Sequence, residues 1–249
     1  MNVLVTGATG FIGKHLVKSL TNDKKYNARC LVRKNSDKRN IRFLKNCGAE
    51  IIYGDVYDKE SLLKAMKGVN TVFHLVGGGK VETTFKKGFD KLKKLNIDAA
   101  KNVIEAAVKS KVKKFVHFSS ISAMGIIVEK KLNENSVCQP KTPHEICKLE
   151  TEKIMSKYKD KILITIIRPG IVYGPYAKTE LLTLCNMLKK HFFIVPGNGK
   201  NVMPMVYVDD VVQTTLLAFE KNKKSCEVFI AVSDNEPTFD ELISSIVKA

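Results

Sequence analysis

Three glycines at intervals of three, Gly7, Gly10 and Gly13, stand between a short apolar run, Val3 to Val5, and an amphipathic stretch reaching Val17. Strand, glycine turn and helix in that order suit the holding of a diphosphate. Gly7 permits the tight turn, Gly10 lets backbone approach a pyrophosphate, and Gly13 lets the helix pack closely on the sheet. The N–H groups of the first helical turn then point at the phosphates. Twenty residues beyond Gly13, a second strand ends at Arg33, with Lys34 and Ser36 beside it. An acidic residue there would take the ribose 2′-hydroxyl of NAD and repel a 2′-phosphate. Guanidinium, ammonium and hydroxyl donors attract that phosphate, so NADP(H) is expected over NAD(H), the alternative being that these are ordinary exposed loop cations. Asp55, following the third strand and Gly54, is placed either to accept from an adenine amino group or to serve as a turn carboxylate. Gly77, Gly78 and Gly79, after the fourth strand, suit close passage of a cofactor ribose or phosphate.

The elements that must position these groups follow one rhythm. Strands are expected at 3–5, 28–32, 50–53, 71–76, 114–118 and 162–167. Helices are expected between them, at 11–20, 37–46, from Asp58 to a stop at Gly68, at 89–109 and at 144–158. Residues 123–143 read as a loop. This alternation predicts an α/β chain, a doubly wound parallel sheet of the Rossmann type. Beyond Gly174 the rhythm changes: a helix at 180–190, a strand at 192–195, the loop PGNGK, a strand at 205–208, a helix capped by Asp209 or Asp210, a strand at 227–232, and a last helix opened by a Thr238 and Glu241 capping box. These pieces are expected outside the carboxyl ends of the strands. The division is therefore a nucleotide-binding domain at 1–175 and a small substrate-binding subdomain at 176–249.

Composition narrows the remaining classes. A chain of 249 residues, 44% hydrophobic, can bury a full core. It has no apolar run of membrane-spanning length, because its most apolar stretch, 162–173, is cut by Arg168 and Pro169, and it begins without a signal-peptide pattern. A cytoplasmic protein without a transmembrane segment is expected. Six scattered cysteines form no CxxC pair, so neither a metal site nor a disulfide framework is expected. The net charge of +17 raises a nucleic-acid or anionic-membrane reading. Only five of the 42 basic residues are arginine, however, and the lysines are spread over nearly every expected helix. That pattern reads as a solvated surface rather than a specific nucleic-acid face.

Taken together, TGATGFIG at 6–13, GDV at 54–56, HLVG at 74–77, FSS at 118–120, RPGIVYGP at 168–175 and YVDD at 207–210 resemble the extended short-chain dehydrogenase/reductase family, also called the NAD-dependent epimerase/dehydratase family. The resemblance covers nearly the whole chain. It implies that Thr9, Phe11 and Ile12 join the glycine turn around the cofactor, that Val56 joins Asp55, and that Leu75 and Val76 join Gly77. It further implies that Pro169, Gly170 and Val172 border the nicotinamide, that Lys148 holds the ribose hydroxyls, and that Asn96, Ser120 and Lys148 match three of four catalytic positions. The fourth, a tyrosine four residues before the lysine, is here His144, and no tyrosine lies between Tyr57 and Tyr158. An imidazole beside Lys148 is pushed toward its neutral form. Neutral imidazole can accept an alcohol proton or polarise a carbonyl, but it is a poor acid and forfeits much of the roughly 10²–10⁴-fold that general acid catalysis contributes.

Substrate and assembly follow from the same resemblance. Gly197, Gly199 and Lys200 are followed by Val202 and Met203, where relatives that act on nucleotide sugars usually carry an arginine, which favours a less charged small-molecule substrate, or none. The sequence stops at Ala249, sooner than relatives do, so part of the substrate lid is expected to be missing. Helices beginning near Phe89 and His144 would pair two copies into a four-helix bundle. Two functions stay open. One is an NADP-dependent oxidoreductase or epimerase-type enzyme passing hydride to or from a carbon held by Ser120 and His144. The other is an NADPH-binding protein with an assembly, structural or redox-sensing role.

Overall fold

In the first strand the alternation of side chains decides the architecture. β1 (Asn2–Thr6) sends Val3 and Val5 to one side and Leu4 to the other, and all three are fully buried, so the sheet must be covered on both faces. The computed structural model describes residues 1–78, 85–125, 132–177, 180–190, 195 and 197–248. Among these residues β1 is joined by β2 (Asn27–Val32), β3 (Glu50–Tyr53), β4 (Thr71–His74), β5 (Lys114–Phe118), β6 (Leu163–Pro169) and β9 (Cys226–Ala231) in one sheet of order β3-β2-β1-β4-β5-β6-β9. Every neighbouring pair is parallel. The order reverses between β1 and β4, which opens a crevice at their carboxyl ends.

One face is covered by α1 (Phe11–Asn22), α2 (Lys38–Asn46) and α8 (Val208–Lys221), through Leu16, Leu20, Leu44, Val211 and Phe219. The other is covered by α3 (Lys59–Ala65), α5 (Ala99–Lys109) and α6 (Pro143–Ser156), through Leu62, Val103, Ile104 and Met155. The doubly wound α/β expectation is met. A separate parallel pair, β7 (Ile171–Tyr173) with β8 (Met205–Tyr207), sits beyond β6. It crowds Gly170, where a Cβ would drive into the carbonyl of Pro204, while the Ile171 N–H donates to that same carbonyl at 2.7 Å.

Several elements differ from expectation for identifiable reasons. The strand expected at 227–232, outside the carboxyl ends of the sheet strands, is instead β9, which hydrogen-bonds along β6 from Ile164 to Pro169 and completes the sheet, with α8 packed beside α1. The helix expected at 89–109 starts at Phe85 as α4 (Phe85–Lys93), passes through a π turn, Lys94–Asp98, and resumes as α5. The helix after Asp58 ends at Ala65 with Met66 as its cap, before Gly68. β4 stops at His74 and β8 at Tyr207. Asp209 and Asp210 do not cap α8, which begins after Tyr207; they lie in its first turn, where the helix dipole favours carboxylates. α6 begins at Pro143 rather than 144, because Thr142, in the stretch expected to be loop, forms a capping box with Glu145, and the 3₁₀ turn Ile121–Met124 runs into the start of that stretch. The strand β7 was not foreseen. The strand expected at 192–195 and the glycine at 79 fall outside the described residues, apart from residue 195, which is in no strand.

Candidate active site

The glycine turn is packed to contact. Gly7 holds a left-handed φ of 76°, and a Cβ there would lie 2.8 Å from the backbone carbonyl carbon of Leu75. A Cβ on Gly13 would overlap the Gly7 carbonyl, so this glycine fits helix to turn rather than helix to sheet. Gly10 is the N-cap of α1 and offers no side chain, which leaves the first-turn N–H groups uncapped at the crevice. These donors and the absent Cβ atoms form a cradle that fits a diphosphate.

Two cavities meet at this cradle, both lined by Gly7, Gly10, Leu75 and Gly77. The first, about 240 Å³, reaches toward β2 and β3 and is lined also by Thr9, Arg33, Ser36, Asp55, Val56, Tyr57 and Val76. Asp55 takes the Tyr57 N–H on one carboxylate oxygen at 3.0 Å and so also shapes its own turn. Lys34 is exposed and outside this lining. The second cavity, about 350 Å³, runs toward β5 and β6, lined by Phe11, Ile12, Gly13, Ser120, His144, Lys148, Pro169, Gly170 and Val172. Here the family motifs, dispersed over 160 residues of sequence, converge.

Each polar group on this wall is held by a different device. Ser120 caps the short turn Ile121–Met124, accepting the Ser122 N–H at 3.2 Å and sharing a 2.8 Å hydrogen bond with the Ser122 hydroxyl. His144 is half-buried in the first turn of α6, and its pKa is held below the usual histidine range, by burial first and by the Lys148 ammonium second. Lys148, one turn on, is 7% exposed, and burial pushes its pKa down to about 8 against the opposing pull of Glu152. Asn96 is placed otherwise: it sits buried in the π turn, its amide nitrogen donating to Leu92 O at 2.9 Å and its oxygen accepting from Gly78 N at 2.9 Å. It pins the backbone behind Gly77 and does not line the cavity.

Behind the wall lies a network that motif reading passed over. The Arg168 guanidinium forks onto Glu152, with Nε to Oε1 at 3.0 Å and a terminal nitrogen to Oε2 at 2.7 Å, and both residues are buried. Ser119 donates to the same carboxylate. Thr151 donates to the Lys148 carbonyl at 2.7 Å and meets His117 at 3.0 Å. His117 stacks on His74, ring centroids 5.6 Å apart, and burial holds His74 down at about 3, so both rings are neutral. Two signals in the sequence could have found this: a glutamate one helical turn after Lys148, and a lone arginine inside an otherwise apolar strand, which must bring its own counter-charge.

A family model described as the NAD dependent epimerase/dehydratase family matches residues 3–231. The chain belongs to this family. An uncharacterized UDP-glucose epimerase of Bacillus subtilis is 31% identical over 229 residues, covering 86% of this chain and 71% of that protein. A photosystem II assembly factor of Cyanophora paradoxa is 35% identical over 125 residues, 49% of this chain and 35% of that protein. The crystal structure of UDP-glucuronic acid 4-epimerase from Bacillus cereus, in complex with UDP-glucuronic acid and NAD, superposes with a TM-score of 0.86 at 25% identity, covering all of this chain and 82% of that one. The cofactor in that neighbour is NAD. Among the described residues no helix is long and apolar enough to cross a membrane.

Proposed function

We propose that this member of the epimerase/dehydratase family is a nicotinamide-nucleotide-dependent enzyme acting at a carbinol or carbonyl carbon of a sugar-derived substrate, with His144 standing in for the family's tyrosine. The observation that carries the reading is the convergence of Ser120, His144 and Lys148 on one wall of the cavity that faces the glycine cradle. A nicotinamide bound there would supply the acceptor or donor of hydride. The uncapped first turn of α1 would bind the diphosphate, and Lys148 the ribose hydroxyls. With its pKa lowered, His144 is neutral at pH 7 and accepts the substrate hydroxyl proton on a ring nitrogen, while the Ser120 hydroxyl donates to the substrate oxygen. NADP(H) is preferred in this reading because Arg33 and Ser36 line the adenosine end; NAD(H), as held by the Bacillus cereus neighbour, is the alternative.

The substrate wall is assigned to residues 197–203 with α7 (Glu180–Lys189) and α9 (Phe239–Lys248). That loop folds back on α9, with the Asp240 N–H donating to the Gly199 carbonyl at 3.1 Å, and it presents Lys200 and Val202 to solvent. One ammonium beside an exposed valine suits a less charged substrate than a nucleotide diphosphate. Two copies would pair through α5 and α6, adjacent on one face of the sheet. The test is turnover with UDP-glucose, UDP-glucuronic acid and simple aldehydes, in the native protein and in His144→Tyr. At least about a tenfold gain in aldehyde reduction is expected for the variant, as a competent acid is restored. Absence of any thermal shift with saturating NADPH or NADH would overturn the reading.

A second reading, a nucleotide-binding protein with an assembly role, is favoured by the same histidine and by the likeness to the photosystem II assembly factor. It gains if nucleotide binds while the native protein and His144→Tyr are both inert.

A further inference from the structure

In a parallel sheet every connection from helix to following strand returns to the same edge, the one remote from the nucleotide crevice. Here those connections are 23–26, 47–49, 66–70, 110–113, 157–162 and 222–225. They contain ten lysines, two aspartates and no arginine. Nearly half of the chain's net charge of +17 is therefore gathered on about a tenth of its residues, all at one end of the molecule. The even scatter of lysines along the sequence is misleading, because the winding of the chain collects them.

Eight of the ten, Lys24, Lys67, Lys111, Lys113, Lys157, Lys159, Lys161 and Lys223, have no carboxylate partner among the described residues; only Lys25 and Lys224 are paired. The density is highest before β5, β6 and β9, where Lys111, Lys113, Lys159, Lys161 and Lys223 rim an open depression of about 620 Å³ whose single acidic lining residue is Asp160. All five are exposed. Holding like charges together without counter-charges costs repulsion that a bound polyanion relieves.

We infer that this edge is a docking face for an anionic phospholipid surface. From β2 to β9 the face spans five strand spacings, roughly 24 Å, which suits a laterally mobile array of headgroup phosphates meeting scattered point charges. It lacks what a nucleic-acid site employs: the connections carry no arginine, the neighbouring Arg29 guanidinium is engaged by Glu50 and the carbonyls of Ala65 and Lys67, and the two tyrosines, Tyr26 and Tyr158, are buried and half-buried rather than presented as stacking platforms. A protein adsorbed by this edge keeps the nucleotide crevice turned to solvent, so docking and nucleotide binding are independent.

The test is co-sedimentation of the full chain with phosphatidylserine–phosphatidylcholine vesicles and with pure phosphatidylcholine vesicles, at low and high salt. Binding is expected only to the anionic vesicles, weakening with salt. A variant carrying Lys111→Glu, Lys113→Glu, Lys159→Glu, Lys161→Glu and Lys223→Glu should lose at least about tenfold in affinity. A control with the same charge change on exposed lysines elsewhere (Lys18→Glu, Lys38→Glu, Lys93→Glu, Lys101→Glu, Lys141→Glu) should lose less than about threefold. Unchanged thermal shift with NADPH in both variants verifies that the fold is intact. The inference is overturned by no sedimentation with anionic vesicles, by equal losses in the two variants, or by a mixed-sequence duplex that binds the same edge more tightly than the vesicles do.

Discussion

On the α1 side, the crevice wall is backbone: glycine carbonyls and uncapped N–H groups, with Gly7 and Gly13 so close to their neighbours that no side chain fits. On the α6 side it is a layer of ionisable side chains, Lys148 in front and the Glu152–Arg168 pair behind, each nearly excluded from water. The first wall offers only shape and dipole and has nothing to titrate. The second holds several charges in a dry environment, where the Arg168 guanidinium is stable only while Glu152 faces it. A backbone wall can bind without reacting, whereas a titratable wall is where proton chemistry becomes feasible.

Breaking the titratable wall should have the largest effect. Glu152→Leu leaves the Arg168 guanidinium buried without its partner and is expected to cost about 3–5 kcal/mol in denaturant unfolding, while adding Arg168→Met should restore most of the loss. If the single variant is as stable as the native protein, the pair does not hold this wall. On the backbone wall, Gly13→Ala forces a Cβ into the Gly7 carbonyl, for an expected loss of about 1–3 kcal/mol and of the thermal shift given by nucleotide. A retained shift would mean the turn can relax without losing its cradle.

The pH dependence separates the walls more finely. Lys148 titrates near pH 8 in the folded protein, so turnover that depends on its ammonium should be level around neutrality and decline above about pH 8, with nucleotide binding by the backbone wall less affected. Between there and the ordinary lysine value of 10.5 the unfolded chain binds more protons than the folded one, so stability should rise with pH across that window. Lys148→Met should abolish both slopes; their persistence would assign them elsewhere. The smallest expected effect is that of Arg33→Asp at the exposed adenosine end, a shift of about tenfold in the NADPH-to-NADH affinity ratio, read by titration. Unchanged selectivity would remove Arg33 from the choice of cofactor.

Much of this was legible from residue order. The glycines after an apolar run mark the turn from β1 into α1, and β3 and β5 fall where alternation puts them, at Glu50–Tyr53 and Lys114–Phe118. His144 and Lys148 were visible only through the family resemblance, which marks a lysine and the position four residues before it. The π turn at Lys94–Asp98 was not, since a single extra residue leaves the apolar stripe almost unchanged, and neither was the place of β9, which is set by what β6 leaves unpaired along its far side.

What the sequence by itself determined is therefore local: the glycine turn between strand and helix and the strand–helix alternation, both properties of residues within a few positions of one another, whereas His144 stood out only against the pattern of the family. Tertiary structure alone decided which distant residues share a dry space or a common edge. The pairing of Glu152 with Arg168 and the gathering of lysines from five separate connections are of that kind, because burial and long-range charge depend on how the chain is wound rather than on its order.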